Sequence, residues 1–155
     1  MKIAIIGAGS VGTNLHHAFA LKGINAELIH ARPLTAERTP SQPSPQGKEN
    51  SSDYAGDQCS LPCGEGKGGV ATNFDVYIYA IADQALREVV EKIHAPKAIH
   101  LHTSGTMPID VFGEDKPHSG VLYFFQSFSR EVLIDDWSGI PCFIEGKNID
   151  DVAAI

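Results

Sequence analysis

The chain lacks the features on which several protein classes depend. It has only three cysteines, an odd number that does not suggest a disulfide framework. Its net charge is −7, which argues against nucleic acid or an anionic membrane as the main partner. No apolar run is long enough to cross a bilayer. An apolar strand begins at once, which leaves no room for a signal peptide. We therefore expect a cytoplasmic protein without a membrane or nucleic-acid partner.

Metal-ligating residues are also sparse. Cys59 and Cys63 lie close together, but no second pair of cysteines or histidines follows at the spacing of a zinc site. We expect no metal site. The length of 155 residues is sufficient for one domain with a hydrophobic core.

The most informative motif stands at the start of the chain. Apolar residues are followed by Gly7-Ala8-Gly9-Ser10-Val11-Gly12 and then by a stretch with helical periodicity. This is the strand–turn–helix context that the dinucleotide fingerprint requires. Gly7 permits the tight turn, Gly9 lets a pyrophosphate approach the backbone, and Gly12 lets the helix pack on the strand. The helix N-terminus attracts phosphate. The motif predicts dinucleotide binding through residues 7–12, and the alternative is a plain glycine-rich turn.

The end of the second predicted strand bears on the choice of nucleotide. Sites for NAD or FAD usually have Asp or Glu here, which accepts hydrogen bonds from the ribose. This strand ends instead at His30-Ala31-Arg32, without an acid. The guanidinium of Arg32 would pair with a 2′-phosphate. We therefore predict NADP(H) rather than NAD(H), with a solvated surface arginine as the alternative.

The segment 33–72 loses all periodicity. It is rich in proline, serine and glycine and has few strongly apolar side chains, so it cannot bury enough surface to offset its ordering entropy. It stands where a second helix and third strand are expected, and we predict an irregular insert there. It resembles the translated form of a bacterial interspersed palindromic repeat, and the alternative is an ordinary long loop. In the strand order 3-2-1-4-5-6 the third strand is an edge, so its loss spares the centre of the sheet.

Apolar strands alternate with helical patterns along the rest of the chain. Asp83 is predicted to cap a helix whose apolar residues fall at helical spacing. The predicted class is α/β, a doubly wound parallel sheet of the Rossmann type in three α/β/α layers. Its strands are expected near 2–6, 25–30, 75–81 and 98–102, extended by strands near 121–126 and 141–145.

The last residues resemble the beginning of a helix. Asn148 is predicted as its cap, with Asp150 and Asp151 in the favoured first turn, and the chain stops at Ile155. We therefore expect a dinucleotide-binding domain over 1–147, and over 148–155 the start of a truncated helix that leads to a missing C-terminal domain.

Candidate site residues follow two of the predicted strands. Ligands of doubly wound sheets lie beyond the carboxyl ends of the strands. His102 is a candidate proton donor, since its unperturbed pKa lies near physiological pH. Ser104 is a candidate for orienting the substrate. The alternative is that His102 bonds only its own loop and Ser104 caps the next turn. Further cofactor contacts are predicted from residues that end these two strands: Ile81, Ala82, Asp83, Thr103 and Gly105.

Four segments together resemble one family. They are Gly7–Gly12, Ala80-Ile81-Ala82-Asp83, His102-Thr103-Ser104-Gly105 and residues 120–129. They look like the bacterial Rossmann-like proteins that carry a C-terminal DUF2520 helical domain. Those proteins are similar to pyrroline-5-carboxylate reductase, ketopantoate reductase and the F420-dependent NADP reductases. The resemblance covers 1–32 and 74–155, and Phe124 stands where the family more often has proline. It implies that a C-terminal domain supplies dimerisation and much of the substrate pocket, so a homodimer is expected only with that domain.

Two functions therefore remain open, and a third is weaker. The first is an NADP-dependent oxidoreductase acting on a small carbonyl or imine substrate, with this chain alone poorly active. The second is a non-catalytic nucleotide-binding remnant of such an enzyme. The third is an S-adenosylmethionine methyltransferase, which usually needs an acid where this chain has Arg32.

Overall fold

The computed structural model describes residues 1–30 and 73–155. The elements in chain order are β1 (Ile3–Ile6), α1 (Ser10–Leu21), β2 (Ala26–Ile29), β3 (Val76–Tyr79), α2 (Asp83–Lys92), β4 (Ile99–His102), a 3₁₀ turn (Ile109–Phe112), β5 (Ser119–Phe124), β6 (Cys142–Gly146) and α3 (Ile149–Ala154).

These strands form one sheet in the order β2-β1-β3-β4-β5-β6. The four pairings from β2 to β5 are parallel, and β6 adds to β5 in antiparallel orientation. β2 and β3 lie on opposite sides of β1, so the direction in which strands are added to the sheet reverses between them. The predicted α/β doubly wound sheet of the Rossmann type is thus confirmed.

Each face of the sheet carries its own core. On the face covered by α2 and the 3₁₀ turn, Tyr77 and Tyr79 pack with Leu86, Val90 and Phe112. On the face covered by α1, the core residues include Ile3, Ile5, Leu15, Ile78 and Leu101. All four residues of β3 are buried, as a continuous apolar run predicts for a central parallel strand.

Two predicted helix caps differ from the structure. Ala82 occupies the N-cap position of α2, and Asp83 is the first helical residue. The prediction that Asp83 caps this helix is therefore wrong, because its carboxylate instead accepts a hydrogen bond from Thr106 Oγ1 at 2.6 Å. Asn148 does occupy the N-cap position of α3. Its side-chain amide, however, donates to Asp151 Oδ2 at 3.0 Å rather than capping the backbone.

Several predictions fall on residues outside the described ranges. They concern Arg32, the irregular insert 33–72 with its replacement of a helix and a strand, and the pair Cys59 and Cys63. None of the helices in residues 1–30 and 73–155 has the length and apolar character to span a membrane.

Candidate functional site

The turn between β1 and α1 requires two of its glycines for the fold itself. Gly7 has a φ of 108°, and a Cβ there would lie 2.5 Å from both the Ala80 carbonyl oxygen and Ile81 Cγ2. A Cβ on Gly12 would collide with the carbonyl oxygen of Gly7. Gly7 and Gly12 therefore let the helix start tightly against the sheet, as predicted for the first and third glycines of the motif.

Gly9 differs from both of these glycines. Its φ is −75° and its ψ is −175°, an extended conformation open to any residue. A Cβ there would meet only the Ala80 carbonyl oxygen, at the ordinary distance of 3.7 Å. The packing of the described chain thus gives no reason for a glycine at this position. Among residues 1–30 and 73–155, none comes nearer to this Cβ position, so a ligand could approach it.

The start of α1 leaves hydrogen-bond donors free for an anion. Within the described ranges, no side chain caps this helix, and its first turn contains no acidic residue. The first backbone N–H groups of a helix have no partner inside the helix, and their dipoles favour negative charge. Open space above Gly9 and uncapped N–H groups at Ser10–Gly12 suit the pyrophosphate of a dinucleotide.

Two further loops meet this turn at the carboxyl edge of the sheet. The Ala80 amide donates to the Ile6 carbonyl oxygen at 2.8 Å, and the Thr103 amide donates to the Tyr79 carbonyl oxygen at 3.2 Å. The ends of β1, β3 and β4 are thereby held side by side. The structure brings the sequence-predicted segments 7–12, 81–83 and 103–105 together along one edge.

A chain of hydroxyl groups connects the last two of these segments. Thr106 Oγ1 donates to Asp83 Oδ2 at 2.6 Å, so the hydroxyl of Ser104, 3.2 Å away, is left to donate to Thr106 Oγ1. Ser104 Oγ also accepts hydrogen bonds from the Thr106 and Met107 amides, both at 3.1 Å. Ser104 therefore caps the turn that follows β4, the structural alternative to a substrate contact.

Gly105 lies against an aromatic ring of the neighbouring strand. A Cβ there would lie 2.7 Å from Cε2 of Tyr123, on β5, so a side chain at this position would have to displace that ring.

His102 lies beneath the edge rather than on it. It has no exposed surface, and its ring stacks on Phe112 with the ring centroids 5.6 Å apart. Neither ring nitrogen has a hydrogen-bond partner among the described residues. Burial lowers the pKa of His102, and the nearby Pro108 backbone and the charge of Asp83 offset this only in part. Burial therefore favours the neutral form of this ring.

Asn14 is a residue of this region that the sequence reasoning missed. It is completely buried on α1. Its Nδ2 donates to the carbonyl oxygens of Ser10 and Ser129, at 2.9 and 2.7 Å, and its Oδ1 accepts from the Ile134 amide at 3.0 Å. The available signal was a polar residue beside Leu15, on the face of α1 that turns toward the sheet.

Apart from this edge, an apolar groove of about 430 Å³ runs along α1. Its lining includes Leu15, Phe19, Leu122, Phe124 and Trp137. In the described part of the chain, no three His, Cys, Asp or Glu side chains converge as metal ligands would.

Several solved structures share this fold, and two of them are compared with the chain. A putative NADP oxidoreductase from Bacteroides fragilis superposes with a TM-score of 0.68 and 24% identity, covering 98% of this chain and 54% of that one. A putative 2-dehydropantoate 2-reductase from Enterococcus faecalis superposes with a TM-score of 0.51 and 20% identity, covering 82% of this chain and 42% of that one. The chain thus spans about half the length of these proteins or less. No protein family and no curated protein matches its sequence. The likeness shows the fold, and the relationship to the DUF2520 family stays a prediction.

Proposed function

We propose that this chain is the NADP(H)-binding domain of an oxidoreductase that transfers hydride to or from a small carbonyl or imine substrate. The observation that carries the proposal is Gly9: among the described residues, none packs closely on it and none caps the helix that follows it. Two proteins of similar fold support a redox reaction, since one is named a putative NADP oxidoreductase and the other a putative 2-dehydropantoate 2-reductase. The first name also supports NADP as the cofactor.

The phosphate groups would be recognised at two places. The amides of Ser10–Gly12 would bind the pyrophosphate. The Ile29 carbonyl oxygen accepts a hydrogen bond from the Gly7 amide at 2.7 Å, so β2 ends beside the glycine turn. Arg32 follows three residues later in the sequence, and its guanidinium is the group proposed to bind a 2′-phosphate.

The bound cofactor would supply the hydride, and the described residues would hold it in place. Asp83, Thr106 and Ser104 brace the two loops beyond β3 and β4, where the nicotinamide end is expected. Hydride transfer also requires the acceptor carbon to be held over the nicotinamide and shielded from water. We propose that a domain beyond these residues contributes those walls, and that this chain alone turns over slowly.

The second candidate, a nucleotide-binding domain without catalysis, is favoured by one observation. Both predicted catalytic side chains are occupied elsewhere in the structure: the ring of His102 is buried against Phe112, and the hydroxyl of Ser104 caps its own turn. If the protein is a reductase, a group other than His102 or Ser104 would have to donate the proton to the substrate.

Calorimetric titration of the purified chain with NADPH, NADH, FAD and S-adenosylmethionine, side by side, tests the cofactor. We expect NADPH to bind most tightly. Arg32→Ala should weaken NADPH about ten- to a hundredfold, since a charged hydrogen bond contributes roughly 1.5–3 kcal/mol, and should leave NADH nearly unchanged. Arg87→Ala, on the exposed side of α2, is the matched control. Preference for NADH, FAD or S-adenosylmethionine would refute NADP(H) selectivity.

Oxidation of NADPH in the presence of small keto acids and cyclic imines separates the two candidates. Slow turnover by this chain that rises when a downstream helical domain is fused to it would support the oxidoreductase. Nucleotide binding without turnover in either form would favour the non-catalytic domain. Turnover of about 1 per second or faster by this chain alone would contradict the need for further walls.

A further inference from the structure

The nucleotide site proposed above has little positive charge of its own. The segments 7–12, 80–83 and 103–107 contain no Lys or Arg, and their one charged side chain is the carboxylate of Asp83. A pyrophosphate brings negative charge to this edge. Charge-assisted hydrogen bonds from a guanidinium stabilise such a group more strongly than neutral donors do.

The loop that follows β5 lies against this site through Asn14. One atom, Asn14 Nδ2, donates to the carbonyl oxygen of Ser10, the first residue of α1, and to that of Ser129. The carbonyl oxygens of Ser129 and Ser10 therefore share one donor, which places the backbone at Ser129 close to the start of α1. Asn14 Oδ1 holds the same loop again through the Ile134 amide.

Further contacts fix the loop, which comprises residues 125–141, along α1. His17 Nε2 lies 2.7 Å from Asp135 Oδ1. Trp137 donates from Nε1 to the Ile134 carbonyl oxygen at 2.9 Å. Its ring packs on Phe124 and Phe128, with centroid separations of 5.2 and 5.3 Å. The buried Asn14 amide and the contact between His17 and Asp135 thus seat the loop on α1, and the aromatic cluster packs the loop on β5.

This arrangement places the side chain of Arg130 near the proposed nucleotide site. It follows Ser129 directly and is exposed. Among the described residues it forms none of the ion pairs found, although Glu131 is its neighbour in sequence. A long cationic side chain, next to a backbone carbonyl that shares the Asn14 amide with Ser10, is suited to reach an anion bound at the start of α1.

We propose that Arg130 binds the pyrophosphate of the dinucleotide and that Asn14 is the positioning residue that holds Arg130 at the site. This inference rests on the proposed nucleotide-binding function. It adds a second cationic contact, distinct from Arg32. Arg130 recognises the part that NADPH and NADH share, whereas Arg32 recognises the 2′-phosphate.

Titrations with three ligands separate these two roles. Arg130→Ala should weaken NADPH and NADH by the same factor, about ten- to a hundredfold, and should leave 2′-AMP, which has no pyrophosphate, unchanged. Arg32→Ala should weaken NADPH and 2′-AMP and spare NADH. Arg130→Lys should retain part of the affinity, because an ammonium keeps the charge but not the bidentate geometry. Arg87→Ala should change none of the three.

A double-mutant cycle tests the part assigned to Asn14. If Asn14→Ala weakens NADPH by releasing Arg130, the double variant should bind no more weakly than Arg130→Ala alone. Additive losses would show that Asn14 acts independently of Arg130. Thermal unfolding of each variant identifies any that fails to fold. Arg130→Ala changes an exposed side chain and tests the inference even if Asn14→Ala unfolds.

The outcomes of these titrations distinguish failure of the role proposed for Arg130 from failure of the proposed nucleotide-binding function. If the unmodified chain binds NADPH but Arg130→Ala binds both dinucleotides equally well, the inference is overturned and the proposed function stands. A loss confined to NADPH would assign Arg130 to the 2′-phosphate and overturn the pyrophosphate contact. Failure of the unmodified chain to bind NADPH or NADH would overturn both.

Discussion

At the scale of single residues, the three glycines of the motif have separable roles. Gly12→Ala places a Cβ against the Gly7 carbonyl oxygen, so the helix must move off the sheet. We expect it to lower the free energy of unfolding by about 1–3 kcal/mol or more, as overpacking does. Gly9→Ala meets no such obstacle, and we expect near-normal stability with NADPH affinity reduced at least about tenfold. Chemical denaturation and calorimetry measure the two quantities.

The control for this pair is Gly139→Ala, because a Cβ on Gly139 meets nothing within 4 Å. It should change neither stability nor binding. Gly9→Ala with unimpaired NADPH affinity would mean that no ligand group approaches Gly9, and the main support for the cofactor site would be lost.

His102 gives a second prediction at this scale. An unpaired polar ring in the core costs stability, so His102→Phe should raise the free energy of unfolding at pH 7, by on the order of 1 kcal/mol, and leave NADPH affinity unchanged. A fall in NADPH affinity without a fall in stability would instead support the predicted ligand-side role of His102.

The buried rings of His102 and His100 give a prediction for the pH dependence of stability. Burial lowers the pKa of His102 and of His100 from the usual 6.5, so the unfolded chain takes up protons first as the pH falls. Stability is fully present above pH 6.5 and decreases as the pH falls toward the folded-state pKa values. His102→Phe should remove part of this decrease, whereas His94→Gln, at an exposed position, should not. An unchanged slope in His102→Phe would contradict the burial of a neutral ring.

At the scale of elements, the sequence predicted every described strand, but not its limits. Residues 80 and 81 have the apolar character of the strand before them, yet β3 ends at Tyr79 because Ala80 and Ile81 turn against Gly7. β5 begins at Ser119, before its apolar run, because Ser119 and Gly120 pair with His100 and Leu101. Packing against the glycine turn outweighed local propensity at the end of β3, and pairing across the sheet outweighed it at the start of β5.

The 3₁₀ turn before β5 contributes more to the fold than its four residues suggest. Phe112 is only 1% exposed and packs against the rings of Tyr79, His100 and His102. Phe112→Ala should therefore cost about 3–5 kcal/mol of unfolding free energy, the usual price of such a core cavity. Phe125→Ala, at a side chain 67% exposed, should cost within about 0.5 kcal/mol. If urea denaturation showed similar losses of unfolding free energy for Phe112→Ala and Phe125→Ala, the core position of Phe112 would be contradicted.

At the scale of the whole molecule, topology explains which parts of the site the sequence could predict. Parallel strands bring their carboxyl ends to one edge, so the motif at residues 7–12 and the loops at 81–83 and 103–105 were predictable together. The partners of Asn14 were not predictable, because Ser129 and Ile134 are 115 and 120 residues away in sequence. The burial of His102 likewise depends on Phe112, which approaches only in the folded chain.

Both candidate functions require a nucleotide to bind at the glycine turn between β1 and α1. The most direct measurement is the ¹H–¹⁵N correlation spectrum of the labelled chain during titration with NADPH. We predict that the largest shifts occur at the amides of Gly9, Ser10, Val11 and Gly12, with smaller ones at Thr103 and Gly105. Shifts confined to the groove formed by Leu122, Phe124 and Trp137, with the glycine turn unmoved, would contradict the central claim.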